Sequence, residues 1–148
     1  MNVEVTFGDF EQDILTAARV MVNILAESMM QAGAEGITAP QFRILDMVYN
    51  NISNQADLAK ILNISNSSIN AQLEKLEERR LITRLHSTGE PRRIETILTS
   101  DGLDIVRKVN ENRGLYLDRV CKKMGKRNAS QLDKLLAEFN NCYFKLKR

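Results

Sequence analysis

Between positions 65 and 70 the sequence sets Ser65, Asn66, Ser67, Ser68 and Asn70 almost side by side. Their hydroxyls and carboxamides can each donate and accept a hydrogen bond. That versatility suits contact with base edges in a DNA groove. Lys75 follows on the same segment, and then come Arg79, Arg80, Arg84, Arg92 and Arg93, opposed between positions 79 and 93 by Glu90 alone. A small basic patch beside a run of small polar side chains points to phosphate and base recognition rather than to catalysis. Nucleophile-elbow, P-loop, Rossmann and metal-ligand motifs do not occur. One histidine, His86, leaves little acid–base machinery and no transition-metal site, so neither an enzyme nor a cofactor is expected.

These residues need elements to hold them. Phe10, Ile14, Ala17, Met21, Ile24, Leu25 and Ser28 recur at helical spacing, which predicts a first helix over 9–31 that Gly33 and Gly36 end. Thr38 and Pro40 open a second helix that runs to about Tyr49 and buries Phe42, Leu45 and Val48. Asn54 caps a third, with Leu58, Ala59 and Leu62 inward. After the break Asn63-Ile64-Ser65, a fourth helix runs to about Arg80 with Ile69, Leu73 and Leu76 inward. A small residue, Ala59, lets these two helices cross closely, and Ile64 is expected to plug the angle between them. Stretches 81–86 and 94–98 are β-branched and flank the turn-forming Ser87-Thr-Gly-Glu-Pro91, which predicts a hairpin. Thr99 or Ser100 then caps a long helix to about Met124, Gly125-Lys-Arg-Asn128 breaks it, and a last helix runs to the end.

The fold class that follows is mainly α with a small β-hairpin wing: a winged helix-turn-helix plus dimerisation helices from both chain ends. Three regions are expected: an N-terminal dimerisation helix over 1–36, the DNA-binding domain over 37–99 and C-terminal dimerisation helices over 100–148. A net charge of +2 on 148 residues confines the basic surface to a patch, because residues 1–37 hold Arg19 against six acids. That acidic start argues against a signal peptide, and Arg19, Asn23 and Glu27 interrupt the most apolar early stretch, so no membrane span is expected. With Cys121 and Cys142 as the only cysteines there is no disulfide framework, and a cytoplasmic location is expected.

The stretch Asp57-Leu-Ala-Lys-Ile-Leu-Asn-Ile-Ser-Asn-Ser-Ser-Ile-Asn70, with Leu73-Glu-Lys-Leu76, Arg79-Arg-Leu-Ile82 and Leu98-Thr-Ser-Asp-Gly102, resembles the MarR family of bacterial regulators. Ile37-Thr-Ala-Pro-Gln-Phe42 is similar to that family's approach to its second helix. The resemblance implies a triangular homodimer whose wings reach adjacent minor grooves. It also implies a repressor of promoters that releases a pseudo-palindromic operator when a small aromatic effector acts; the family's redox branch places its sensing cysteine in the first helix, where this chain has none, so that role does not transfer. Glu90-Pro91-Arg92 stands where the family carries Asp-x-Arg, so the wing arginine carries over to Arg92. Ala71 stands where the recognition helix often has an arginine, which shifts direct readout to Asn and Ser and favours A·T-containing sites. The expected DNA-contacting set is therefore Ser65, Asn66, Ser67, Ser68, Asn70 and Lys75 on the recognition helix, with Arg84, Arg92 and Arg93 on the wing.

Leu132, Leu135, Leu136, Phe139, Cys142, Tyr143 and Leu146 share one wide stripe of the last helix, and so large an apolar face needs a partner surface. Ile14, Leu132, Leu135, Phe139 and Tyr143 are the expected dimer contacts. Cys121 and Cys142 sit on apolar stripes and are expected to be buried. Met21, Met29 and Met30 suit core and dimer packing better than an adaptable ligand pocket. A winged helix that docks onto protein is the rival reading, but it calls for an apolar patch where small polar residues stand.

Overall fold

The structure, a computed structural model, describes residues 7–89 and 91–147. The chain divides into two compact units, Met1–Asn112 and Arg113–Arg148. In the first unit α1 (Phe7–Gln31) and α2 (Ala39–Tyr49) precede the short pair α3 (Gln55–Leu62) and α4 (Asn66–Glu78). The hairpin β1 (Ile82–His86) and β2 (Ile94–Leu98) follows, and α5 (Ser100–Met124) runs on into the second unit, which ends with α6 (Lys126–Leu146). The strands pair antiparallel in the register Ile82 with Leu98 and His86 with Ile94.

Side-chain caps fix the starts of α2, α3 and α4. Thr38 and Gln41 form a reciprocal capping box at α2, with Pro40 in the first turn. Asn54 accepts from the Ala56 and Asp57 amides at α3, and Ser65 accepts from the Ser68 amide at α4. Each such cap contributes about 1 kcal/mol. The core contributes more. Phe42, Ile44, Leu45, Leu58, Ile69, Leu73, Leu76, Ile82, Val106 and Val109 are all fully buried, and each contributes about 1.5–3 kcal/mol. This decides why α4 is a helix at all. Asn66, Ser67, Ser68 and Asn70 are poor helix formers that together cost about 2 kcal/mol, and the buried stripe of Ile69, Leu73 and Leu76 outweighs them.

Ile64 corrects one expectation. It does not plug the angle between α3 and α4, since 37% of its surface is exposed. The three-residue turn instead holds itself through backbone bonds. Asn63 takes a left-handed φ of 54° at the end of α3, and the Ile64 amide donates back to the Ala59 carbonyl. Leu58 and Ala59 of α3 and Ile69 of α4 are buried in one core where the two helices pack.

The wing root is joined to α5 by polar contacts. The Thr99 amide donates to the Leu81 carbonyl at 3.0 Å, and the Thr99 hydroxyl donates to the Arg80 carbonyl at 2.7 Å. The same hydroxyl accepts from the Gly102 amide at 3.1 Å, so Thr99 caps α5. A Cβ on Gly102 would overlap the Leu81 carbonyl oxygen, which is why this helix carries a glycine in its first turn. These contacts account physically for Thr99 and Gly102 within the sequence Leu98-Thr-Ser-Asp-Gly102.

The second unit holds the end of α5 and all of α6. The break between them is shorter than expected: Gly125, at φ 86°, turns the chain alone, and Lys126 already starts α6. No residue of α6 is buried. Cys121 and Cys142 are exposed, against the expectation of burial. Both lie on the apolar stripes that the sequence sets out, and both remain accessible on them. Among the described residues no helix is long and apolar enough to cross a membrane.

Candidate nucleic-acid interface

At 100° per residue, Ser67, Ala71, Glu74 and Glu78 lie opposite the buried stripe of α4, and all four are exposed. Asn66, Ser68 and Lys75 are exposed as well. The Ser65 hydroxyl lies 3.0 Å from the Ser67 hydroxyl and 2.9 Å from that of Ser68, while accepting from the Ser68 amide at 3.1 Å. Ser65 is therefore engaged in capping, and Asn66, Ser67 and Ser68 form the open polar end of the helix. The first-turn amides of a helix add positive potential at this end.

Asn70 and Arg84 do not stand free as base or phosphate readers. Arg84 rises from β1 and is held on two sides. Its Nε is 2.8 Å from Glu77 Oε2, and its Nη1 donates to Asn70 Oδ1 at 2.7 Å. The Arg84 side chain keeps only 14% of its exposure. Asn70 in turn donates through Nδ2 to Glu74 Oε1 at 2.8 Å. Both ends of its carboxamide are occupied. The sequence reading missed Glu74 and Glu77 as members of this site. The spacing of Asn70 and Glu74, four apart on a helix, was the available signal. Arg84 lies fourteen positions beyond Asn70, and only the folded hairpin brings it there.

Arg92 and Arg93 are exposed on the wing. The Arg93 amide donates to the Ser87 hydroxyl at 2.8 Å and the Ser87 amide to the Arg93 carbonyl at 2.9 Å, so the backbone closes the hairpin beneath them. Glu90, the position that departs from the family's Asp, lies outside the described residues. The structure thus brings Asn70 and Arg84 together and leaves Arg92 and Arg93 apart from them on the wing. At the far end of α4, Arg79 donates through Nη2 to the Glu35 carbonyl at 2.7 Å. Its guanidinium occupies the space a Cβ on Gly36 would take, and it ties the turn after α1 to the end of α4. Among the described residues no group of three His, Cys, Asp or Glu side chains could hold a metal ion.

Two helices at a three-residue turn, followed at once by an antiparallel hairpin, define a winged helix-turn-helix protein. A sequence model of the MarR family matches residues 35–94. The crystal structure of RV1404 from Mycobacterium tuberculosis is 32% identical, covers 95% of this chain and 97% of that chain, and superposes with a TM-score of 0.82. NadR in complex with 4-hydroxyphenylacetate is 24% identical, with 94% and 97% covered and a TM-score of 0.70. A mutant of Staphylococcus aureus MepR bound to an oligodeoxyribonucleotide is 19% identical, with 90% and 97% covered and a TM-score of 0.61, a likeness of fold alone. No curated protein sequence matches the chain. The chain belongs to the MarR family of winged-helix transcription regulators.

Proposed function

We propose that a homodimer of this chain binds a pseudo-palindromic operator in the cytoplasm as a repressor and is released by a small aromatic ligand. The observation that carries this reading is the exposed polar end of α4 beside a wing bearing Arg92 and Arg93. Asn66, Ser67 and Ser68, with the helix amino terminus and the Ser65 cap, meet bases and phosphates in the major groove. Lys75 and the wing arginines add phosphate and minor-groove contacts. In this reading residues 37–99 bind DNA, while 1–36 and 100–148 dimerise.

The exposed apolar faces support the dimer. Ile14 on α1 and Leu132, Leu135, Phe139 and Tyr143 on α6 are all exposed in the single chain, and faces of this size are ordinarily covered by a second protein surface. Two reading heads also supply the contact area that strong specificity requires. Ligand release draws support from a relative: NadR holds 4-hydroxyphenylacetate in its structure.

The test is a footprint of the purified full chain on the DNA upstream of its own gene. Two protected half-sites about 10 base pairs apart are expected. Neutralising about 6–10 phosphates makes affinity fall about 10³–10⁵-fold between 50 and 200 mM salt. Adding 4-hydroxyphenylacetate or related phenols to the same assay is expected to release the DNA. A flat salt dependence, or protection without sequence preference, overturns the reading.

A further inference from the structure

The four-residue chain Glu77–Arg84–Asn70–Glu74 points to a reading residue that the small polar side chains do not supply. A guanidinium only donates. Facing Arg84 Nη1 at 2.7 Å, Asn70 must therefore turn Oδ1 towards the wing and Nδ2 away from it. The turned Nδ2 then holds Glu74 Oε1 at 2.8 Å. Glu77, 2.8 Å from Arg84 Nε, anchors the far end of the chain. The outcome is a carboxylate fixed in orientation on the exposed face of the recognition helix, one turn beyond Ala71, whose methyl group leaves room beside it.

We propose that Glu74 is a specificity-determining residue that accepts a hydrogen bond from the N4 amino group of a cytosine, with Asn70 and Arg84 as its positioning residues. This rests on the DNA-reading role proposed above. A carboxylate carried towards a polyanion is repelled unless it meets a donor, and major-groove donors are the amino groups of cytosine and adenine. Adenine sets the N7 acceptor beside its amino group, which opposes a second acceptor. Cytosine offers N4 without such a neighbour. Glu74 thus acts mainly by penalising other bases at its position. Nonspecific affinity is lowered by its charge, and specificity is raised.

The experiment is selection of binding sites from random DNA duplexes by the full chain and by its Glu74→Ala, Glu74→Gln and Asn70→Ala variants. The wild-type chain is expected to select a C·G pair at one position of each half-site, about 5- to 150-fold over other pairs. Glu74→Ala loses that preference, keeps the others and binds unrelated DNA more tightly. Glu74→Gln moves the preference towards adenine, which a carboxamide can bind through both N6 and N7. Asn70→Ala weakens the cytosine preference without moving it. Two results overturn the proposal while leaving DNA reading intact: an unchanged site from Glu74→Ala, or loss of all binding by a Glu74→Ala protein whose thermal unfolding matches wild type. If the wild-type chain selects no recurrent sequence, the DNA-reading role falls and this proposal with it.

Discussion

Helices α4 and α6 are both amphipathic, yet they meet opposite circumstances. Helix α4 buries Ile69, Leu73 and Leu76 completely, in contact with α3 and β1. Helix α6 carries a wider stripe, from Leu132 to Leu146, and buries none of it. The sequence pattern is the stronger one in α6. What decides burial is the cover. A periodic apolar stripe specifies which residues share a face, whereas burial depends on a second surface of matching shape. The reading head supplies that surface from its own chain, so its stability is a property of one molecule. No described residue of α6 is buried, and any stabilisation its stripe gains from a second copy depends on concentration.

The largest effect tests that distinction directly. The double substitution Leu135→Glu and Phe139→Glu is expected to give a monomer by sedimentation and to weaken binding to a two-half-site operator by about 10²–10⁴-fold, the gain normally supplied by linking two heads. A double variant that remained dimeric would remove α6 from the interface. Next in size, Leu73→Ala empties a site with 0% exposure and is expected to cost about 2–5 kcal/mol in urea unfolding. A cost below 1 kcal/mol would mean that the core of the reading head is looser than its packing indicates. The smallest effect concerns how the two helices are bounded. Gly125, at φ 86°, precedes α6, whereas Arg80, a residue with a Cβ, follows α4 at φ 59°. Arg80→Gly is expected to stabilise the head by about 1 kcal/mol in thermal unfolding. Destabilisation would show instead that the arginine side chain contributes more than its backbone strain costs.

Much of the head was legible because its signals are local. Thr38, Asn54 and Ser65 cap within three residues of themselves, and β2 begins and ends at the expected residues Ile94 and Leu98. Three features were not legible, each for a non-local reason. Cys121 and Cys142 share stripes with apolar neighbours, but periodicity says nothing about what lies over a stripe. Ile64 reads as a plug by its type, yet the turn is closed by the backbone bond to Ala59. Asn70 reads as a free amide because its partner Arg84 belongs to a strand that only the hairpin brings near. Polar recognition surfaces are especially prone to this last misreading, since one long arginine can reassign every donor and acceptor around it.

The join between Thr99, the carbonyls of Arg80 and Leu81 and the backbone of Gly102 constrains how this wing can change by mutation. Apolar contacts slide by fractions of an ångström at little cost, but directional bonds to carbonyl oxygens do not. A new wing angle is not expected from altering a single side chain here, because the hydroxyl at 99 and the missing Cβ at 102 both meet the adjoining carbonyls of Arg80 and Leu81, just before β1. Substitutions at 99 and 102 are therefore expected to be non-additive. Variation among descendants of this chain is easier at the wing's tip than at its root.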